Sequence, residues 1–480
     1  MLEMGKAYMD NLPVDLMREN RKAGIESPMR NNSIEENLRL WEEMKKFSPE
    51  GRVCVMRAKI DMKATNTSLR DPVLFRPIDL PHARTGTQYK VYPCYDFACP
   101  IVDSIEGVSV SMRTIEYRDR NEQFHWIQEA LGLRQVPIYD FARLNFKFTE
   151  MSKRKLQWFV DEGIAEGWFD PRFPTVQGMM RRGLTIPALR AFILEQVPSR
   201  NITYQEWDKI WSKNKQVIDP IAPRYTAVET RLPVLLHLTD GPKQPYTAVV
   251  PRHRKNPDVG DKLVEFSSDL LIEQCDAELL KPGTEVTLMG WGNIIVDEVI
   301  TDANNMIPST VTHSKGSTSG KDQANAENTL VPAVTKVIAH LHLEGDFKKT
   351  KLKLTWLSCA SAMTPTSTHQ YSLPVCKCVA FDHLLTVPKV DEDKDFRDFA
   401  NRNSRFEVEV FVEPAATMGV HGDIIQFERK GFFFLDKPFD SATATEAPSN
   451  AVFHFIPEGR SNLMRIAGVI PQSVEDKISA

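Results

Sequence analysis

Residues 33–47, SIEENLRLWEEMKKF, place Ile34, Leu38 and Trp41 at i, i+4 and i+7, with Ser33 three positions before Glu36. That spacing predicts an amphipathic helix opened by a capping box. RVCVMRAKIDM (52–62) is β-like and RDPVLFR (70–76) reads as a further short strand broken by Pro72, so residues 1–90 are expected to be α+β. From 89 to 119 the pattern gives a short extended piece, an apolar helical stretch and a strand-like SMRTIEY. NEQFHWIQEALGL (121–133), with Phe124, Ile127 and Leu131 at i, i+3 and i+7, predicts a helix, and VPIYDFARLNF (136–146) a strand. Strands alternating with helices argue for a parallel α/β sheet.

Between about 155 and 215 the periodicity is helical: KLQWFVDEGI, RRGLTIPALRAFILEQV and YQEWDKIWSKNKQVI are separated by loops rich in Pro and Gly. Beyond IDPIAPRYTAV (218–228) short β-like runs follow one another, among them LPVLLHL, TKLKLTWLS, FEVEVFV and GDIIQFERKGFFFLD, which predicts barrels or sandwiches. SKGSTSGKDQANAEN (314–328) reads as a polar, low-complexity loop.

At 480 residues the chain is long enough for about three domains. No apolar stretch approaches the roughly 20 residues that span a bilayer, and the start lacks the apolar core of a secretion signal, so a soluble, cytoplasmic protein is expected. Seven cysteines without paired CxxC knuckles point to a reducing compartment and to no zinc site. Lys+Arg is 60 against Asp+Glu 64, so any nucleic acid has to be held by local basic patches.

The string with most chemical promise is FTEMSKRKL (148–156), a hydroxyl residue followed by consecutive cations after a strand, suited to gripping phosphates; a solvated basic run at a helix start is the alternative. Together with YPCYDFACPIVDSIEGV and RTIEYRDRN upstream and DPRFPTVQGMMRRGLT and NKQVIDPIAPRYTAV downstream, it resembles glutamyl-tRNA synthetase of the eukaryotic and archaeal type, a class I family related to the glutaminyl enzyme. The resemblance runs from GKAYMDN to GDIIQFERKGFFFLD.

What the resemblance implies is a multidomain α/β plus all-β protein. It has a partial acceptor-stem-binding domain (1–90), the second half of a class I Rossmann catalytic domain (91–157), a helical stem-contact domain (158–225) and two anticodon-binding β-barrels (226–480). The family reaction attaches glutamate to tRNA(Glu) through glutamyl-adenylate, with ATP and Mg²⁺. Met151, Ser152, Lys153 and Arg154 match the second class I signature, with Ser152 and Lys153 catalytic and Lys153 stabilising phosphate charge. Thr114, Arg143 and Leu144 match nucleotide-contacting positions, and a packing role for Leu144 stays open. Tyr95 and Arg113 match the amino-acid pocket. Arg113 and Ile138 stand where the glutaminyl branch has uncharged and polar residues, so both point to glutamate; the alternative is that Arg113 pairs with a structural acid such as Glu116. Asp119, Arg120, Arg181 and Arg182 match segments along the tRNA, and Arg224 a position near the anticodon. Basic strings RHRK (252–255) and KKTKLK (348–353) either hold the anticodon arm or are solvated faces. Val110 and Phe169 depart from the family's histidine and aspartate.

No HxGH string of the first class I signature occurs, and the expectation is a chain that begins inside the acceptor-binding insertion. Two alternatives follow: a non-catalytic tRNA-binding or assembly protein derived from the synthetase, and a glutaminyl-tRNA synthetase. A multi-synthetase or cofactor-protein assembly is a further expected setting.

Overall fold

The computed structural model describes residues 1–308, 330–359, 371, 373–440 and 450–459; the polar loop expected at 314–328 lies outside them. Two compact units result, Met1–Leu144 with Pro198–Thr203, and Asn145–Val197 with Tyr204–Ala480. They are coarser than the four segments expected above.

The first unit begins with β1 (Ala7–Asp10), α1 (Val14–Ala23), α2 (Ile34–Lys46), β2 (Val55–Ala58), β3 (Val73–Pro77) and β4 (Val91–Pro93). The four strands pair antiparallel in the order β1-β2-β3-β4. Ser33 Oγ accepts from Glu36 N at 3.2 Å, and Phe47 ends α2 in the left-handed region (φ 56°). The apolar stripe of α2 delivers Leu40 and Met44 to a core with Met9, Met56 and Leu74 of the sheet. Buried Arg57 crosses the sheet, its Nε donating to Asp10 and its Nη1 to the Asp71 carbonyl, both at 2.7 Å.

Strand–helix alternation follows: α3 (Tyr95–Ile105), β5 (Ser111–Thr114), α4 (Asn121–Ala130) and β6 (Ile138–Phe141). β5 and β6 are parallel, with Arg113 opposite Asp140, and Phe97 of α3 and Ile127 of α4 join the core beneath the antiparallel sheet. Two expected strands are shorter than the pattern suggested. SMRTIEY stops at Thr114 and turns into a 3₁₀ segment (Ile115–Arg120). The 136–146 run breaks after Phe141, because its last residues pair with a different strand.

In the second unit β7 (Asn145–Phe146) is followed by α5 (Lys153–Asp161), α6 (Val176–Arg181), α7 (Ile186–Glu195), β8 (Tyr204–Gln205) and α8 (Trp207–Ile218), and β7 pairs parallel with β8. The β-rich half continues with β9 (Arg224–Tyr225), β10 (Ala227–Glu229), β11 (Val234–Leu238), β12 (Tyr246–Pro251), β13 (Asp261–Phe266), β14 (Asp269–Ile272), the short α9 (Gln274–Ala277), β15 (Glu285–Leu288), β16 (Gly292–Pro308) and β17 (Leu330–His342). Strands β18 (Lys353–Leu354), β19 (Leu357–Ser358), β20 (Val375–Phe381), β21 (Arg405–Val412), β22 (Ile424–Phe427), β23 (Gly431–Lys437) and β24 (Val452–Ile456) complete it. They build two seven-stranded, barrel-like sheets, β18-β15-β16-β17-β11-β14-β19 and β10-β21-β20-β24-β23-β22-β9, beside the β12–β13 ribbon. Alternation fills each with its own core: Val234, Leu236, Val286 and Val337 in one, Val410, Phe427, Phe433 and Phe453 in the other.

Thr175 caps α6 by accepting from Gly178 N at 3.0 Å, and a Cβ on Gly178 would stand 2.3 Å from the Asp170 carbonyl oxygen. Gly178→Ala should therefore destabilise the chain by about 1–3 kcal/mol, the usual cost of overpacking. Urea unfolding checks this; an unchanged midpoint would mean that the 166–175 loop yields freely.

Candidate functional site

In β5 the alternation that buries Ser111 exposes Met112 and carries Arg113 inward, where it is 6% exposed. Its guanidinium lies 4.8 Å from the Tyr117 ring centroid and 5.3 Å from that of Phe124. The nearest carboxylate is Asp96, at 4.0 Å from Nη2, too far for a hydrogen bond, and Asp96 gives its other oxygen to Arg120 Nη1 at 2.7 Å. Nε and Nη1 of Arg113 are buried and have no hydrogen-bond partner among the described residues, as does Oδ1 of Asp96. A guanidinium held out of water in this state favours an incoming carboxylate.

Tyr95 opens α3 beside this arginine, its ring 5.7 Å from Tyr117 and its hydroxyl accepting from Cys99 Sγ at 3.5 Å. That hydrogen bond, then burial, push the phenol up to about 12, so it stays neutral. The acid that sequence offered as a partner for Arg113 turns elsewhere: Glu116 lies 3.5 Å from Arg143 Nε, and the Thr114 hydroxyl holds its carboxyl below the usual range. Thr114, Glu116 and Arg143 thus form a second polar group next to the first, and Leu144, which follows, is half-buried. Ile138 sits opposite Ser111, on the Arg113 side of the parallel pair.

Arg120, expected along the tRNA, joins the Arg113 cluster through Asp96 and stacks 5.5 Å over Tyr117. Asp119 is exposed, and its carbonyl accepts from Asn66 Nδ2 (2.7 Å) and Ser68 Oγ (2.5 Å). Asp96, Tyr117 and Phe124 were not singled out from sequence. Phe124 carried only a core signal, and nothing local marks the other two.

In the second unit Lys153 and Arg154 form the first turn of α5 rather than a free loop. The physical reason is the pull of Leu156 and Phe159, which are buried one helical turn apart, with Leu156 N donating to Ser152 O at 2.9 Å. Met151 and Ser152 are half-buried, while Lys153 and Arg154 are exposed. Neither cation has an ion pair or hydrogen bond among the described residues, whereas Lys155 is tied to Glu150 at 2.7 Å. Cations at the positive end of a helix repel it, and an anion placed there relieves both.

Arg181 and Arg182, expected along the tRNA, both have internal partners. Arg181 is saturated internally by Asp436 (2.7 and 2.8 Å) and Glu166 (2.8 Å) and packs 5.2 Å over Phe169, the position where the family's aspartate was missed. Arg182 donates to the Phe381 carbonyl at 2.6 Å and lies between Trp211 and Phe381, and burial pushes it down to about 10.

Arg224, held by Asp219 at 3.3 Å, lines a cavity of about 510 Å³ with Arg252, Arg254 and Lys262, its apolar wall including Phe266 and Trp356. Nε of Arg224 and of Arg252 lack partners among the described residues. The RHRK string therefore contributes Arg252 and Arg254 to a built cavity, while in KKTKLK Lys353 donates to the Phe347 carbonyl at 2.8 Å. Among the described residues no helix is long and apolar enough to cross a membrane.

Family models for class I tRNA synthetases (E and Q) match the chain three times: the catalytic domain over residues 1–220, and anticodon-binding domains over 222–314 and 353–436. The cytoplasmic glutamate--tRNA ligase of Saccharomyces cerevisiae is 44% identical over 463 residues, covering 96% of this chain and 58% of the yeast protein. That of Arabidopsis thaliana is 43% identical over 461 residues, with the same two coverages. The bifunctional glutamate/proline--tRNA ligase of Mus musculus is 44% identical over 472 residues, covering 98% of this chain and 29% of the mouse protein. The chain thus spans less than two thirds of the length of each of these relatives.

Burial opposes ionisation of Asp436, but the Arg181 hydrogen bonds outweigh it and hold the carboxyl below its usual range. A depressed folded-state pKa contributes stability that is present above the unfolded value of about 3.9 and disappears as pH falls through the lower folded value. Asp436→Asn should therefore be less stable than wild type at pH 7, with the gap closing below about pH 4. Denaturation midpoints across that range are the check, and a gap that does not narrow would mean that Asp436 acts through packing.

Proposed function

The chain belongs to the class I tRNA synthetases of the glutamate and glutamine type, and from that footing we propose that it serves the ATP-dependent attachment of glutamate to tRNA(Glu). The observation that carries the choice of glutamate is Arg113, whose buried guanidinium has two nitrogens without hydrogen-bond partners among the described residues. A side-chain carboxylate satisfies both the charge and the hydrogen bonds, whereas the neutral amide of glutamine leaves the charge uncompensated. Tyr95 walls the amino-acid pocket, and Ile138 supplies an apolar side chain on the Arg113 side of the parallel pair, next to Ser111 and Asp140.

In the first step the α-carboxylate of glutamate attacks the α-phosphorus of ATP and pyrophosphate leaves. Lys153 and Arg154, exposed at the start of α5 with Met151 and Ser152 before them, are the groups that take the phosphate charge. Lysine, a compact charge on a flexible stem, suits a phosphate whose geometry changes. Thr114, Arg143 and Leu144 serve the nucleotide, and Mg²⁺ accompanies ATP to neutralise its phosphates. In the second step a terminal ribose hydroxyl of tRNA(Glu) attacks the glutamyl carbonyl and AMP leaves. Arg224 and the cavity beside it suit an unstacked anticodon base, with apolar walls for its face and arginine donors for its edge. Arg120, joined to the Arg113 cluster through Asp96, and the exposed Asp119 beside it are assigned to the acceptor end of the tRNA. The yeast and Arabidopsis relatives are named cytoplasmic and the mouse relative bifunctional, which supports cytoplasmic work beside other synthetase activities.

Lys153→Ala should depress glutamate- and ATP-dependent pyrophosphate exchange by about 10²–10³ while leaving tRNA affinity unchanged. Equal losses in both would make the α5 start a docking element, and tRNA binding with no exchange even in wild type would favour the non-catalytic alternative.

Arg113→Cys should cut kcat/KM for glutamate by roughly 10²-fold or more and narrow the gap to glutamine. An unchanged glutamate-to-glutamine ratio would reduce Arg113 to a structural residue.

A further inference from the structure

Phe148, three residues before Met151, has φ +57°, a left-handed conformation that a bulky aromatic side chain rarely adopts. Its backbone is held there by its own N–H, which donates to the Pro388 carbonyl at 2.9 Å. Its ring is held by His383, stacked at 5.0 Å between centroids and 15° between planes. Burial, then the Arg182 charge, push His383 down to about 3, so a neutral imidazole meets the phenyl face. Asn401 Nδ2 fixes the histidine from behind, donating to its carbonyl at 3.0 Å and to the Asp382 carboxylate at 3.0 Å.

The same connection between β20 and β21 grips the other side of the cationic turn. Leu384 and Leu385 share a core with Leu156 and Phe159 of α5, and Phe396 stands 5.9 Å from Phe159 and 5.2 Å beneath the Lys155 ammonium. Residues 149–154 are thus pinned upstream and downstream by one segment. The upstream pin is the strained one.

We propose that Phe148 and His383 form a clasp that positions Lys153 and Arg154, with the left-handed backbone at Phe148 as its hinge. A strained residue persists only where its surroundings over-determine it, and here ring stacking and the Pro388 hydrogen bond do so. Opening the clasp releases the turn while the buried Leu156 and Phe159 keep the rest of α5 in place. Both are positioning residues, acting through the backbone of 149–152 without touching substrate. The inference deepens the reading of Lys153 and Arg154 as phosphate-binding groups and rests on it for its consequence in catalysis.

Tryptic cleavage of the full chain after Lys153 and Arg154 tests it, with thermal melting as the control for global folding. Phe148→Gly suits the positive φ and removes the whole benzyl side chain, so it should fold while cleavage rises about fivefold, the factor an aromatic stack is worth; His383→Ala, which removes the stack without altering the 148 backbone, separates the loss of the ring from the added freedom of glycine. His383→Ala should match it, Phe148→Tyr should keep the wild-type rate, and the Phe148→Gly, His383→Ala double variant should be cut no faster than either single. An unchanged rate in Phe148→Gly, or a double variant in which the two effects multiply, overturns the clasp. ATP with Mg²⁺ should slow cleavage of wild type and protect Phe148→Gly less; equal protection also overturns the positioning role. Failure of ATP to protect wild type would instead sink the phosphate reading, and the cleavage rates would still decide the clasp.

Discussion

A guanidinium taken out of water must find acceptors, and this constraint orders both units. Arg57 finds Asp10 and the Asp71 carbonyl and so locks the antiparallel sheet of the first unit. Buried Arg172 finds Asp170, the Ile164 carbonyl and Ser404 Oγ, joining the 166–173 loop to the start of β21. Arg181 ties α6 to β23 through Asp436. Against these compensated arginines, Arg113 stands out as buried and left, among the described residues, with two nitrogens without a hydrogen-bond partner beside Asp96, one of whose oxygens Arg120 takes. The same physics that makes the others structural supports the proposal that this one receives a substrate carboxylate, because Asp96, 4.0 Å away, leaves its donors without hydrogen bonds.

The proposed phosphate site at the start of α5 follows a related logic. An α-helix start is electropositive, and Lys153 and Arg154 add two full charges without an ion-pair or hydrogen-bond partner among the described residues. Such a turn is at odds with itself until an anion arrives. Holding it in place falls to apolar anchors on either side, Leu156 and Phe159 below and the Phe148 ring above, all contacted by the connection between β20 and β21. Since that connection grows from a strand of the second barrel-like sheet, the cationic turn shares its support with the β-rich half of its own unit.

Wherever the deciding interaction is local, it was legible along the chain. The α2 helix depends on a hydroxyl and a backbone amide three residues apart and on an apolar stripe, so both its start and its inward face could be read. The β character of GDIIQFERKGFFFLD was legible likewise, and the structure resolves that run into the β22–β23 hairpin. The signature around Lys153 and the charge at Arg113 were visible as residue types in order, which suffices to name a family and to nominate a carboxylate and a phosphate.

What a side chain does with its charge depends on partners that sequence separation conceals. Arg181 and Arg182 were placed along the tRNA because their segment resembles the family's, and sequence could not show that Arg181 meets Asp436, 255 residues later, or Arg182 the Phe381 carbonyl, 199 residues later. The run 136–146 read as one strand because strand propensity carries no pairing information, and it divides where hydrogen bonding passes from β5 to β8. Asp96 and Tyr117 escaped notice because an acid and an aromatic acquire meaning only once chain folding sets them against Arg113. Local spacing decides helices, turns and the types of groups available; long-range closure decides which charges are spent on the fold and which remain for a ligand, because desolvation and pairing energies exist only after distant residues meet.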